Sequence, residues 1–246
     1  MSPGPPQDPT VGRHYAGDAG AAYFSWQNSI SGEMGGRLNA RKFNPHLRPQ
    51  ATVVDFGCGA GYMLEQLRGR ERIGIEPAPA AREAARSRGL NVVASAGELA
   101  AESADVVVSN HALEHALEPL AELRGLLGLL RAEGELRLWV PIDDWRAQRD
   151  AMAGDQNHHL YTWTPLLMRN LLEEAGFSVV SVRVITHAWP PRTAQLASLP
   201  RPAFDALGRA WSLLRRRRQL EAVARRPGGR QPGAPSVPAA TTAISP

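Results

Sequence analysis

From Ala51 onward the sequence alternates short apolar runs with longer stretches rich in Ala, Leu, Glu and Arg, and this rhythm limits the possible folds more than any other feature. The runs are ATVVDF (51–56), RIGIE (72–76), LNVVA (90–94), ADVVVSN (104–110) and ELRLWV (135–140). Between them lie YMLEQLRGR, PAAREAARSRG and PLAELRGLLGLLRAEG, which read as helices. Strands alternating with helices predict a Rossmann-like, doubly wound α/β fold whose mainly parallel sheet is covered on both faces. Two further strands bring the expected total to seven. FSVVSVRVIT follows TPLLMRNLLEEAGF, where Thr164 reads as an N-cap, Pro165 as the first helical residue and Gly176 as the C-terminal stop. QLEAVARRP (219–227) reads as a closing strand with Leu220, Ala222 and Ala224 on one face, or as a continuation of the helix expected over 200–217.

The flanks differ from this core. Residues 1–14 are rich in Pro and Gly and are expected to be disordered. Residues 15–48 are expected to form an N-terminal helical cap, and 15–227 a single domain. The segment 228–246, GGRQPGAPSVPAATTAISP, has the composition of a disordered tail. At 246 residues and 43% hydrophobic, the chain can bury one substantial core. Its single cysteine, Cys58, excludes a disulfide framework and fits a reducing, cytoplasmic setting. No window approaches the roughly 20 apolar residues of a membrane helix, and the start lacks the apolar stretch of a signal peptide. No membrane partner is expected.

The positive net charge of +4 invites a nucleic-acid partner, but its placement argues against one. From Arg201 onward nine arginines face two acids, a surplus that leaves residues 1–200 at a net −3. The body of the chain is mildly acidic. Lys42 is its only lysine.

The first apolar run ends in VVDFGCGAGY (53–62), where Asp55 is followed by Gly57, Gly59 and Gly61. Glycines between a strand and a helix let a ligand approach the backbone, and the helix start offers unpaired N–H groups. In an open α/β sheet the carboxyl end of the first strand is where ligands bind. A dinucleotide fingerprint would need glycine at position 62, where Tyr62 stands. The spacing G-x-G-x-G after Asp55 resembles the first motif of class I S-adenosylmethionine-dependent methyltransferases, and the resemblance runs over about residues 50–185.

That resemblance implies S-adenosylmethionine as cofactor and a set of contacts. Asp55, Gly57, Gly59, Gly61 and Tyr62 would form the cofactor loop. Glu76, at the end of IGIEP, would accept hydrogen bonds from both ribose hydroxyls, with Pro77 as its neighbour. Where the family commonly carries an acid for adenine this chain has Ser95, so Ser95 and the amide of Ala96, or else Glu98, would hold that ring. The segment SNHALEHALEP (109–119) resembles the family's LEH segment; Asn110 and His111 would line the pocket, and Glu114 and His115 would either act directly or cap a short helix.

The loop DQNHHLYTW (155–163) follows the fifth strand, where the fold presents its reaction side. A metal reading of Asp155, His158 and His159 is weak because adjacent histidines diverge and lack i, i+4 spacing, so no metal is expected. H-L-Y-x-W before a helix is similar to a bacterial methyltransferase subset associated with small molecules and glycans, and selects His159 as a base on a small-molecule or sugar hydroxyl, with His115 as the next candidate. The oligomeric state is open.

Overall fold

The computed structural model describes residues 12–30, 32–143, 154–190 and 193–228. In chain order the elements are α1 (Gly17–Ile30), α2 (Gly32–Phe43), β1 (Thr52–Phe56), α3 (Tyr62–Gln66), β2 (Glu71–Ile75), α4 (Pro79–Ser87), β3 (Asn91–Val93), β4 (Ala104–Asn110), α5 (Pro119–Leu129), β5 (Leu130–Ile142), α6 (Pro165–Ala175), β6 (Ser178–Thr186), α7 (Thr193–Leu196), α8 (Arg201–Leu214) and β7 (Arg218–Arg225), with short 3-10 turns between some of them. One seven-stranded sheet forms in the order β3-β2-β1-β4-β5-β7-β6. The pairs among β1 to β5 are parallel, and β7 runs antiparallel between β5 and β6.

Alternation of side chains along each strand divides the core into two layers. Val54, Phe56, Val107, Leu136 and Leu138 point to one face, where Leu123, Leu126 and Leu129 of α5 and Met168 and Leu172 of α6 cover them. Val53, Val106, Val108 and Trp139 point to the other, against Phe43 of α2, Leu64 of α3 and Ala85 of α4. A run such as VVDF is apolar except at Asp55 because both of its faces are covered. β7 is a strand and not more helix: Leu220, Ala222 and Ala224 complete the first layer. β5 begins at Leu130, earlier than its sequence suggests, because a register shift lets Leu130 pair with Ala104 before the regular ladder starts at Val106.

Two helix ends behave as the sequence indicates. The Thr164 hydroxyl accepts a hydrogen bond from the Leu167 amide at 3.2 Å, and Gly176 closes α6 at φ +100°. At the amino end, α2 packs so tightly on α3 that a Cβ on Gly36 would lie 2.4 Å from the Tyr62 carbonyl. Residues 13–15 form a 3-10 turn that leads into α1. The rest of the segments expected to be disordered, apart from 12–14 and Gly228, lies outside the described residues. No described helix is long and apolar enough to cross a membrane.

Candidate active site

The carboxyl ends of β1, β2 and β4 open into a cleft with two connected lobes. The larger, about 390 Å³, is lined by Lys42, Asp55, Gly59, Asn110, His115 and His159 among others. The smaller, about 180 Å³, is lined by Glu76, Pro77, Ala94 and Ser95 and roofed by Phe24 of α1. Tyr23, Gln27, Gly57, Gly59, His111 and His115 border both.

The glycine loop serves two purposes. Gly57, Gly59 and Gly61 all have positive φ, at +74°, +56° and +79°. A Cβ on Gly57 would sit 2.2 Å from that of Ala112, and one on Gly61 would meet Leu90. These two glycines satisfy the packing of the protein itself. At Gly59 the nearest atom would be Gln27 Oε1 at 3.8 Å, so this position alone faces open cleft.

Glu76 braces the same loop. One carboxylate oxygen accepts the Gly59 amide at 2.8 Å and the other the Ala78 amide at 2.9 Å. Burial raises its pKa, and the two amides oppose the rise. Asp55 is fully buried beneath the loop, and neither of its oxygens has a hydrogen-bond partner among the described residues. Burial, and then the nearby charge of Glu76, push its pKa well above the usual carboxylate range.

Ser95 lines the small lobe, whereas Ala96 does not and packs against the core. Glu98 is committed elsewhere: it folds back onto the amides of Ala94 and Ser95 in a capping box. Tyr62 begins α3 and lies under the guanidinium of Arg88, 4.3 Å from its ring centre. The Asn110 side chain accepts a hydrogen bond from Lys42 Nζ at 2.7 Å.

At the far end of the large lobe the loop after β5 docks on the segment after β4. The amides of Leu160 and Tyr161 donate to the Glu114 carbonyl, and the Tyr161 hydroxyl donates to that of Leu117. This brings His159 to His115 with ring centres 5.0 Å apart. His159 Nδ1 lies 2.8 Å from Asp143 Oδ2, and His115 Nδ1 lies 2.5 Å from the Tyr15 hydroxyl. His158 is exposed and stacks on His14, outside the lobe. Glu114 does not cap a helix. Its carboxylate is completely buried and without a hydrogen-bond partner among the described residues.

Burial pushes the Glu114 carboxyl up to about 8, the His115 imidazole down to about 4 and His111 down to about 3. Burial alone would also lower His159, but the hydrogen bond with Asp143 and the charge of Glu114 carry it above the ordinary imidazole value. One donor atom from each of Glu114, His115 and His159 lies within 4.8 Å of the others, so this set, unlike Asp155 with His158, could hold an ion.

Several site residues were not legible in advance. Lys42 is enclosed between the amide oxygens of Asn110 and Gln219 and the ring of Trp139, and burial lowers its pKa to about 7. Its being the only lysine in an arginine-rich chain was the available signal. Tyr15, Tyr23 and Asp143 carried none.

A family model described as a methyltransferase domain matches residues 33–182, more than half of the chain. The chain belongs to the methyltransferase domain family. It is a class I S-adenosylmethionine-dependent methyltransferase, in keeping with the strand order and the glycine loop after β1. The methyltransferase matches no curated sequence. Among solved structures it resembles an S-adenosylmethionine-dependent methyltransferase from Archaeoglobus fulgidus, at 18% identity and a TM-score of 0.58 over 82% of this chain and 99% of that one. Phosphoethanolamine N-methyltransferase 2 of Haemonchus contortus, in complex with S-adenosyl-L-methionine, is similar at 14% identity and 0.56 over 87% and 58%. The [4+2]-cyclase SpnF is similar at 19% and 0.52 over 80% and 82%. At these identities the likeness is one of fold, and a fold alone does not fix a reaction.

Proposed function

We propose that this methyltransferase methylates a hydroxyl group of a small polar acceptor, a sugar or similar metabolite, held at the histidine end of the large lobe. The observation that carries the reading is that His115 and His159, the latter paired with Asp143, line a lobe that adjoins the cofactor loop. A carboxylate or phenolate acceptor would hardly need such groups, whereas an alcohol must lose its proton, and help with that step is typically worth about 10²–10⁴-fold.

The residues around the cleft fit S-adenosylmethionine. The open space at Gly59 admits a ligand against the backbone, and the unpartnered oxygens of Asp55 would accept an ammonium such as that of the donor's amino acid end. Glu76 stands at the wall of the small lobe with Pro77 beside it, suited to ribose; each of its oxygens retains a lone pair for a hydroxyl donor. Ser95 would border adenine, and Gly57, Gly61, Tyr62 and Asn110 shape the loop and the passage to the large lobe. When bound, the cofactor supplies a methyl group already activated on a sulfonium. The protein's main task is to hold donor and acceptor in line. His159 and His115, each oriented through its Nδ1, are the groups that activate the hydroxyl.

The test is methyl transfer from labelled S-adenosylmethionine to a panel of sugars, other polyols, phenols and amines. The reading expects an O-methyl ether from an aliphatic hydroxyl. Methylation confined to amines would overturn it.

A further inference from the structure

We propose that Glu114, His115 and His159 form a binding site for one divalent transition-metal ion at the acceptor end of the large lobe. This inference rests on the hydroxyl-acceptor reading for its function and on geometry for its existence.

The geometry begins with Glu114. A carboxylate removed from water costs several kcal/mol unless a cation and hydrogen bonds replace its hydration. Here both oxygens are buried, and neither has a hydrogen-bond partner among the described residues. His111 Nδ1 at 3.7 Å and His115 Nε2 at 3.9 Å are near but beyond hydrogen-bond reach. Something else belongs beside this carboxylate.

The two histidines are arranged as ligands are. Metal-binding histidines characteristically engage a carboxylate or another oxygen group through one ring nitrogen, which fixes the ring and leaves the other nitrogen for the ion. His159 does so through Asp143 at 2.8 Å, and His115 through the Tyr15 hydroxyl. The loop bonds that dock residues 160 and 161 on the Glu114 carbonyl hold the rings together. The three donor atoms lie within 4.8 Å of one another. An ion with bonds of about 2.0–2.2 Å needs them somewhat closer, so binding would draw the three side chains together.

Two imidazoles and one carboxylate are borderline ligands, suited to zinc, manganese or iron in preference to magnesium or calcium. Three protein ligands leave a coordination position open, and two of the three, His115 and His159, line the lobe in which the acceptor would lie. A metal-bound hydroxyl loses its proton far more readily than a free one, as metal-bound water shows. In the resulting step the acceptor oxygen forms the new O–C bond as the S–C bond breaks. The electron pair of that bond stays on sulfur, and the hydroxyl proton passes to water. His159 then gives its free nitrogen to the ion rather than accepting a proton itself.

The experiment titrates Mn²⁺ or Zn²⁺ into chelator-stripped, dialysed full-length protein by calorimetry, with neither donor nor acceptor present, and follows Tm in parallel. The proposal expects one ion per chain and a metal-dependent rise in Tm. Glu114→Gln keeps the side chain's shape and removes the carboxylate that would bind the ion. It should be at least as stable as the wild type without metal and should lose both the binding and the rise. Asp143→Asn should weaken binding by about 10–100-fold through loss of His159's orienting partner. Absence of binding at millimolar metal, or unchanged binding in Glu114→Gln, would overturn the proposal. So would a Glu114→Gln variant that is destabilised with no metal effect in the wild type, since Glu114 would then be paired with a protonated histidine. Because binding is read without reaction, a failure of hydroxyl methylation leaves this result standing. Hydroxyl methylation that persists in chelator would remove the ion and keep the reaction.

Discussion

Replacing Gly59 and Gly57 separately by alanine should separate two roles that one motif combines. Both residues have positive φ, so each alanine incurs left-handed strain of about 1–2 kcal/mol. At Gly59 nothing more is expected in the free protein, because the added Cβ meets only Gln27 Oε1 at 3.8 Å. For a chain of this size that strain lowers Tm by roughly 2–8 °C. At Gly57 the Cβ would stand 2.2 Å from the Ala112 Cβ, where carbon atoms normally keep about 3.5–4.0 Å. Relief requires the backbone at Ala112 to move, adding about 1–3 kcal/mol of overpacking. Cofactor affinity should follow a different order. The Gly59 methyl enters the space offered to S-adenosylmethionine and should weaken it by a similar 1–3 kcal/mol, roughly 5- to 150-fold in Kd. Differential scanning fluorimetry and calorimetric titration of each variant measure both quantities. Gly59→Ala with undiminished affinity, or with a loss of stability equal to that of Gly57→Ala, would refute the division of roles.

Glu76→Ala removes the acceptor of two backbone amides as well as the expected ribose contact, so it should lower Tm and weaken S-adenosylmethionine and S-adenosylhomocysteine by an equal factor, about 1.5–3 kcal/mol; unequal losses by calorimetry would argue against the ribose contact. For Lys42, burial brings the folded pKa to about 7 from an ordinary 10.5. Its stability contribution is complete above pH 10.5, where both states are neutral, and is lost as pH falls through 7, where the buried ammonium must be accommodated. The Tm of Lys42→Met relative to wild type should therefore be higher at pH 6 than at pH 10, and equal differences at the two pH values would contradict an enclosed lysine. Thr164→Ala, which removes the α6 cap, should destabilise by about 1 kcal/mol in a denaturant titration with cofactor affinity unchanged.

The parallel part of the fold could be read because strands covered on both faces are largely apolar, as are the centres of VVDF, ADVVVSN and RIGIE. The cap and stop of α6 were equally plain, since Thr164 and Gly176 act within one turn of their own position. β7 was ambiguous: QLEAVARRP follows α8 directly, and only its place between β5 and β6 makes it a strand. In the cleft the glycine spacing indicated the ligand's position but not that Gly57 and Gly61 answer to Ala112 and Leu90, which are distant in sequence. His159 and His115 could each be singled out in the sequence, but their pairing could not, for the same reason. His115 and His159 come together only because the Leu160 and Tyr161 amides bind the Glu114 carbonyl, and their partners Tyr15 and Asp143 lie in segments with no motif.

The most direct test of the account is calorimetric titration of the purified protein with S-adenosylmethionine and, separately, with NAD. The account predicts saturable binding of one S-adenosylmethionine per chain, reduced in Gly59→Ala and Glu76→Ala, and no binding of NAD because Tyr62 occupies the place of the third fingerprint glycine. Binding of NAD without affinity for S-adenosylmethionine would contradict it.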